Sequence, residues 1–331
     1  MGGHRVLVTG GAGYIGSHTC KALSAAGHLP VAFDNLSAGH RSAVRWGPLI
    51  EADLADRAAI DAALPEHRID AVIHFAAHAC VGESMTAPGR YFRNNVVHTL
   101  NLLESMQAAA VDAIVFSSTC ATYGVPQDGP IGEDHPQQPV NPYGESKLFV
   151  ERALHWIGQA HGLRWLALRY FNAAGADADG EIGEEHEPET HLVPLAIQTA
   201  LGQRKELQVM GTDYPTPDGT AVRDYVHVAD LADAHVRALA HLKAGGASGA
   251  LNLGTGQGHS VRDVVAMVER VSGRRVATRD VPRRAGDPPL LVAAPGRAFD
   301  WLGWQPRQSG LRDIVQTAWR WHAAQATGPA R

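Results

Sequence analysis

Cysteine is scarce: Cys20, Cys80 and Cys120 are the only three in 331 residues. They are widely spaced, odd in number and form no C-x-x-C pair, which argues against a disulfide framework and a thiolate metal site and points to a reducing cytoplasm. Long apolar runs are also missing, and the N-terminal stretch Val6–Val8 gives way to glycines, so neither a membrane span nor a signal-peptide core is expected. Val6 stands where a myristoylation signal would place Ser or Thr. Positive charge is not in excess: the formal net charge is -5, which offers no field for a nucleic-acid backbone or an anionic membrane. There is no internal repeat and no low-complexity tract. What is present is an ordinary globular balance, 45% hydrophobic and 19% charged, in a chain long enough to need a large lobe, a smaller one and a cleft between them.

Short apolar runs alternate with helical periods through the first half. Arg5–Thr9, Pro30–Phe33, Ala71–Phe75, Ala113–Ser117 and Trp165–Arg169 are too apolar for half-exposed strands, as in a parallel sheet covered on both faces. Ile15 to Ala26 and, less cleanly, Val96 to Met106 carry helical stripes. The repeating β-α-β order predicts an α/β protein: a Rossmann-type doubly wound parallel sheet with a smaller C-terminal α/β substrate-binding domain. After about residue 172 the texture changes to Gly-, Pro- and Asp-rich loops, Gly175–Thr190 and Thr212–Thr220, where substrate-covering insertions would sit. Residues 1–172 are expected to form the large domain and 173–331 mainly the smaller one, with segments near 222–256 returning to the large domain. Ser260 is the expected N-cap of a helix Val261–Val271.

Arg5–Thr9 runs into Gly10-Gly11-Ala12-Gly13-Tyr14-Ile15-Gly16, which satisfies G-x-G-x-x-G in the strand-turn-helix context the motif requires. Such a turn lets backbone approach a pyrophosphate, whose charge then meets the free N–H groups of a helix start. Asp34, 21 residues after Gly13, suits the adenosine ribose hydroxyls and would repel a 2′-phosphate, so NAD is expected rather than NADP. A plain βα turn with Asp34 as a helix cap is the bland alternative.

Tyr143 and Lys147 stand four apart in a helix opened by Asn141-Pro142, hence on one face. A phenol near an ammonium and a positively charged nicotinamide would have its pKa lowered from about 10, making it a general base. The same spacing is common on solvated helices. Thr119 ends the strand beginning at Ala113 and could hydrogen-bond a substrate oxygen or cap its own backbone.

Taken together, Gly10–Gly16, Asp34, Asp53-Leu54, Phe75-Ala76-Ala77, Ser117–Thr119 and Tyr143-x-x-x-Lys147 resemble the extended short-chain dehydrogenase/reductases. The likeness is strongest to the UDP-hexose 4-epimerases of that family. It is carried further by Asp34-Asn35-Leu36, Val81-Gly82-Glu83-Ser84, Asn94-Asn95-Val96, Tyr170-Phe171-Asn172, Gly211–Tyr214, Val222–Val228 and Asn252–Gly256, in order along nearly the whole chain. The resemblance implies a tightly bound NAD held by Gly10, Gly13, Tyr14, Ile15, Gly16, Asp34 and Asn35, with Asp53 and Leu54 along the adenine and Phe75, Ala76 and Ala77 lining the cleft. Asn95, Ser117, Tyr143, Lys147 and Tyr170 complete that site, and no metal is implied. Asn172, Leu192, Arg223, Arg284 and Asp287 fall where the family holds uridine diphosphate, with Thr119, Tyr143 and Leu291 at the sugar. Two planar guanidiniums suit a diphosphate; without the resemblance, Arg223 and Arg284 read as surface ion-pair residues. The implied reaction is reversible C4 epimerisation of UDP-glucose and UDP-galactose: Tyr143 takes the 4-hydroxyl proton as hydride leaves C4, Thr119 steadies the oxygen, and the 4-keto sugar turns before hydride returns. The family pairing implies a homodimer through helices near Arg90–Ala109 and Tyr143–His161.

Thr119 stands where Ser is frequent, which keeps the hydroxyl. His74 and His78 make an i, i+4 pair but lack the glutamate of H-E-x-x-H, so a cleft or core histidine is the expectation at His78. Leu291, after Arg284-Ala285-Gly286-Asp287, is intermediate between the large residue that restricts the site to plain hexoses and the small one that admits N-acetyl sugars. A nucleotide-sugar 4,6-dehydratase would want an acidic pair after Thr119, where Cys120-Ala121 stand. A catalytically silent NAD sensor on the same fold is the rival from another class.

Overall fold

Val6, Leu7 and Val8 are fully buried on both faces of β1 (Arg5–Thr9), an environment found in the middle of a helix-covered parallel sheet. The computed structural model describes residues 3–126, 129–284, 287–294 and 296–327. The further strands are β2 (Leu29–Asp34), β3 (Leu49–Glu51), β4 (Ala71–His74), β5 (Ala113–Thr119), β6 (Arg164–Tyr170), β7 (Asn172–Ala174), β8 (Leu207–Met210), β9 (Val222–His227), β10 (Gly249–Leu253), β11 (Gly258–Ser260), β12 (Thr278–Val281) and β13 (Leu290–Leu291). The helices are α1 (Tyr14–Ala25), α2 (Arg57–Glu66), α3 (Val81–Thr86), α4 (Pro88–Tyr91), α5 (His98–Ala108), α6 (Pro142–His161), α7 (Leu192–Ala200), α8 (Val228–Lys243), α9 (Val261–Ser272), α10 (Arg297–Leu302) and α11 (Leu311–Thr327). Among the described residues no helix is long and apolar enough to cross a membrane.

Seven parallel strands form one sheet in the order β10-β6-β5-β4-β1-β2-β3, the doubly wound arrangement expected. The two-residue pleat sorts its side chains. Val6, Val8, Ile73, Val115 and Leu168 join Leu23 of α1 and Leu231 and Leu239 of α8 in one core. Leu7, Val72, Ile114 and Phe116 join Ile60, Leu102 and Leu154 of α2, α5 and α6 in the other. Each such fully buried Val, Leu or Ile contributes about 1.5–3 kcal/mol. Strand order reverses between β1 and β4, so their carboxyl ends open a crevice at the sheet edge.

After β7 the chain builds a second unit. β11, β9 and β13 form a small sheet with β7 also pairing β9, and α7, α9 and α11 pack a third core around Ile197, Val264 and Ile314. Of the segments near 222–256, α8 and β10 join the large sheet and its core, whereas β9 stays in the small sheet. Ser260 caps α9 in a full capping box with Asp263. The weak periodicity over Val96–Met106 reflects two apolar residues off the buried face: Val97 and Leu100 stand exposed, while α5 buries Thr99, Leu102, Leu103 and Met106, after a π-helical turn over Phe92–Val97.

Across the second core a buried ion pair ties α6 to the sheet. Glu151 and Arg169 of β6 are bonded through both oxygens, Nε to Oε1 at 3.0 Å and Nη2 to Oε2 at 2.6 Å, and Ser118 of β5 donates to Oε1 at 2.5 Å. Both side chains are only 6% exposed. Removing one partner strands the other charge in the interior, so Glu151→Ala should cost about 3–5 kcal/mol in urea unfolding. Asp112→Ala, which opens the exposed Arg164–Asp112 pair, should cost about 0–1 kcal/mol. Equal losses would show that burial does not set the strength of these pairs.

Candidate functional site

The glycine turn is built by two separate demands. Gly10 sits at φ +72°, and a Cβ there would lie 2.7 Å from the Ala76 nitrogen; a Cβ on Gly16 would lie 2.1 Å from the Gly10 carbonyl. Folding requires both. Gly13 differs, having an ordinary φ of −82° and only the Gly10 oxygen, at 3.3 Å, near an added Cβ. Its bare surface faces the cleft, at the start of α1, where no side chain caps the helix and the first-turn N–H groups have no partner within it.

Asp34, at the end of β2, is buried and accepts from the Ala12 N–H at 3.0 Å and the Leu36 N–H at 2.8 Å, so the carboxylate holds the glycine turn while facing the cleft. Asn35 donates to Asp53 at 2.6 Å, and the Ala55 N–H and that amide hold the Asp53 carboxyl below its ordinary value. Leu54, Phe75, Ala76 and Ala77 continue the wall.

On the opposite side, Asn141 caps α6 by accepting from the Gly144 N–H at 2.8 Å and so sets Tyr143 in the first turn, over the end of β5. Thr119 stands within hydrogen-bond reach of the phenol and also accepts from the Ala121 N–H at 3.1 Å, so it caps its own backbone while lying beside Tyr143. Lys147 is buried, donates to the Ser117 carbonyl at 2.8 Å and lies 4.8 Å from the centre of the Phe116 ring. Tyr170 meets His235 at 3.1 Å.

One cavity of about 1130 Å³ brings these groups together. Small-ligand clefts usually enclose about 300–1,000 Å³, so this one is larger than a single small ligand requires. It collects every expected site residue from Gly10 to Leu291 except Asn95. Asn95 is buried behind the wall, its amide spent on the His78 carbonyl and the Ser146 hydroxyl, both at 3.0 Å, and its carbonyl on the His78 N–H at 2.9 Å. It braces the cleft and does not face it. Asn172 of β7, Leu192 of α7 and Leu291 of β13 come from the small unit, and Arg223, Arg284 and Asp287 join them. Arg223 is not free: it donates to Asp287 at 2.5 Å, and Arg284 contacts Met210 sulfur. Ala285 and Gly286 lie outside the described residues.

In the ligand-free protein burial pushes the Tyr143 phenol up to about 12 against the opposing bond from Thr119, and the Lys147 amine donates to Ser117 instead; the lowering expected beside a nicotinamide cation belongs to the cofactor-bound state. Burial also pushes Lys147 from 10.5 down to about 7, with Glu151 opposing. His78 lies on the cleft wall, whereas His74 is buried between the Thr9 and Thr99 hydroxyls at 2.6 and 2.8 Å, so the two rings do not converge on one point. Two groups escaped the sequence reading. Glu151, the next residue in the Tyr143, Lys147 series of four, anchors the helix; and Glu184, His186, Glu189 and His191, packed within eight positions, gather on the cleft wall. Their spacings were the available signal.

A lysine whose folded pKa is depressed leaves the native state with fewer protons than the unfolded chain between about 7 and 10.5. Lys147 therefore makes the ligand-free protein gain stability as pH rises through that window. Lys147→Met should flatten this gain in urea unfolding over a pH series, and an unchanged slope would contradict it.

The pattern of the NAD dependent epimerase/dehydratase family matches residues 6–254. A UDP-glucose 4-epimerase of Rhizobium leguminosarum bv. trifolii is 55% identical over 323 residues, 98% of each chain. Among solved structures, UDP-glucose 4-epimerase from Brucella ovis in complex with NAD has a TM-score of 0.94 and 52% identity, covering 96% of this chain and 98% of that one. The enzyme of the same name from Bifidobacterium longum, in complex with NAD+ and UDP, has a TM-score of 0.93 at 37% identity, covering 98% and 99%.

Proposed function

This chain belongs to the NAD dependent epimerase/dehydratase family, and from that membership we propose that it interconverts UDP-glucose and UDP-galactose by epimerisation at C4, using tightly bound NAD. The observation that carries this reading is the convergence of Tyr143, Thr119, Asp34 and the Arg223–Asp287 pair on a single cleft. The bare start of α1 and the open face of Gly13 suit a pyrophosphate, and the Asp34 carboxylate suits a ribose diol and disfavours a 2′-phosphate. NAD bound there would supply reversible hydride acceptance from the sugar C4.

The chain's own residues do the rest. Tyr143 Oη takes the proton of the sugar 4-hydroxyl and later returns it; the Thr119 hydroxyl beside it steadies the same oxygen. Lys147, Ser117 and Tyr170 line the neighbouring wall, and Asn35, Asp53 and Leu54 the far end. Arg223 and Arg284 grip the diphosphate, Arg223 by sharing its guanidinium between phosphate and Asp287, while Asn172 and Leu192 flank the nucleotide. A sugar anchored only through its diphosphate can then present either face. Leu291, packed against Phe171 and Ala293, sets the depth of the sugar end. Its size is intermediate between the large residue that restricts the site to plain hexoses and the small one that admits N-acetyl sugars, so rates on UDP-glucose and UDP-N-acetylglucosamine decide whether a second sugar pair is used. Three free cysteines suit a reducing cytoplasm, and the proposed reaction would place the protein in galactose metabolism there.

Purified protein given UDP-galactose should form UDP-glucose without added reductant. Tyr143→Phe should slow this by about 10²–10⁴ while retaining bound NAD. Full activity in that variant would overturn the assignment of the base. A 4-keto-6-deoxy product would make the protein a dehydratase, and no conversion with NAD present would leave a sensor.

We further propose a homodimer through α5 and α6. Leu100 of α5 and Phe149 and Trp156 of α6 stand exposed there, with Val97 just before α5; Trp156 is 67% exposed, and Phe149 is edge-on to Phe92 at 6.1 Å. Light scattering should give twice the chain mass, and Phe149→Glu combined with Trp156→Glu should halve it. A wild-type monomer would refute the pairing.

A further inference from the structure

We propose that Glu184, His186, Glu189 and His191, on the loop from β7 into α7, form a binding site for one four-coordinate divalent cation of the zinc class. Their ligand atoms all lie within 4.8 Å of one another. His186 Nδ1 is 3.4 Å from Glu184 Oε1 and 3.6 Å from Glu189 Oε2, and His191 Nδ1 is 4.0 Å from Glu189 Oε1. Direct hydrogen bonds between such atoms run at about 2.7–2.9 Å. Two ligands each about 2.0–2.1 Å from a tetrahedral zinc stand roughly 3.3–3.4 Å apart. His186 thus keeps the separation of atoms sharing an ion. His191 and Glu184 are in direct hydrogen-bonded contact, which a shared ion would replace.

Charge supports the same conclusion. The Glu184 and Glu189 side chains are 3% and 4% exposed, and among the described residues neither forms an ion pair with lysine or arginine. Two carboxylates and two neutral imidazoles around a dication make a neutral centre, and an N₂O₂ set suits zinc better than calcium or magnesium, which want oxygen alone. The Glu189 carboxylate is already oriented, since its Oε1 accepts from the Thr190 and His191 N–H groups at 2.7 and 2.8 Å. His191 is the N-cap residue of α7, and the His186 ring meets the Tyr14 ring at 6.3 Å. Tyr14 in turn donates to the Gly175 carbonyl at 2.6 Å. An ion at these four groups would fasten the loop from the small unit against the start of α1, at the wall of the cleft. The sequence-based expectation of no metal considered the cysteines and the His74, His78 pair; this set is a different one, closed only by the loop's fold.

The test is Co²⁺ titration of chelator-treated full-length protein. One equivalent should produce the intense visible absorption of four-coordinate cobalt, Zn²⁺ should abolish it by displacement, and Zn²⁺ should raise the thermal midpoint. His186→Ala and Glu189→Gln should each lose the band, Asp179→Asn in the separate acidic cluster around Lys21 should keep it, and His186→Cys should restore it with an added thiolate charge-transfer band. No band in the wild type, a weak six-coordinate spectrum, or a band that survives in the His186→Ala, Glu189→Gln double variant would overturn the proposal.

Discussion

The bidentate pair between Glu151 and Arg169 sets where the reactive helix stands. It lies in the interior, so each charge depends on the other, and keeping both satisfied holds α6 over β5 and β6. Ser118 adds a donor from β5, and Tyr123, bonded to Arg169 at 2.8 Å and to Asn252 at 2.7 Å, extends the lock to β10. With α6 so placed, Lys147 reaches the Ser117 carbonyl and Tyr143 reaches Thr119, both at the carboxyl end of β5. That end is where a doubly wound sheet exposes its crevice.

The same burial that makes the lock strong shapes the chemistry above it. Burial pushes the phenol up to about 12 and the lysine down to about 7, disfavouring the charged form of each. A nicotinamide cation bound beside the phenol would favour its ionised form. At the other end Asp287 balances Arg223, which spares the cleft an isolated buried guanidinium.

Several stretches that read as site motifs serve the scaffold. Asp224 is fully buried, accepting from the Thr255 N–H and hydroxyl, the Gly256 N–H and the Ala293 N–H, and so joins β9, the glycine turn after β10 and the segment after β13. Asn95 likewise braces His78 and α6 from behind the wall. A motif carries both kinds of residue, and spacing does not separate them. The turn from Gly10 to Gly16, in contrast, was readable, because its glycines answer to sterics within a few residues of chain: the Gly10 carbonyl blocks any Cβ at Gly16.

What the amino-acid sequence determined by itself is the set of features governed by short-range geometry. The strand pleat of two sorted β1, β4, β5 and β6 between two cores, and the helical period of 3.6 put Tyr143 and Lys147 on one face. Only the tertiary structure decided the directions in which those two groups titrate, the pairing of Arg223 with Asp287 across 64 residues, the retreat of Asn95 from the cleft and the gathering of Glu184 to His191. The physical reason is that desolvation and Coulomb energy sum over all neighbours in space, and those neighbours arrive from elements far apart in the chain.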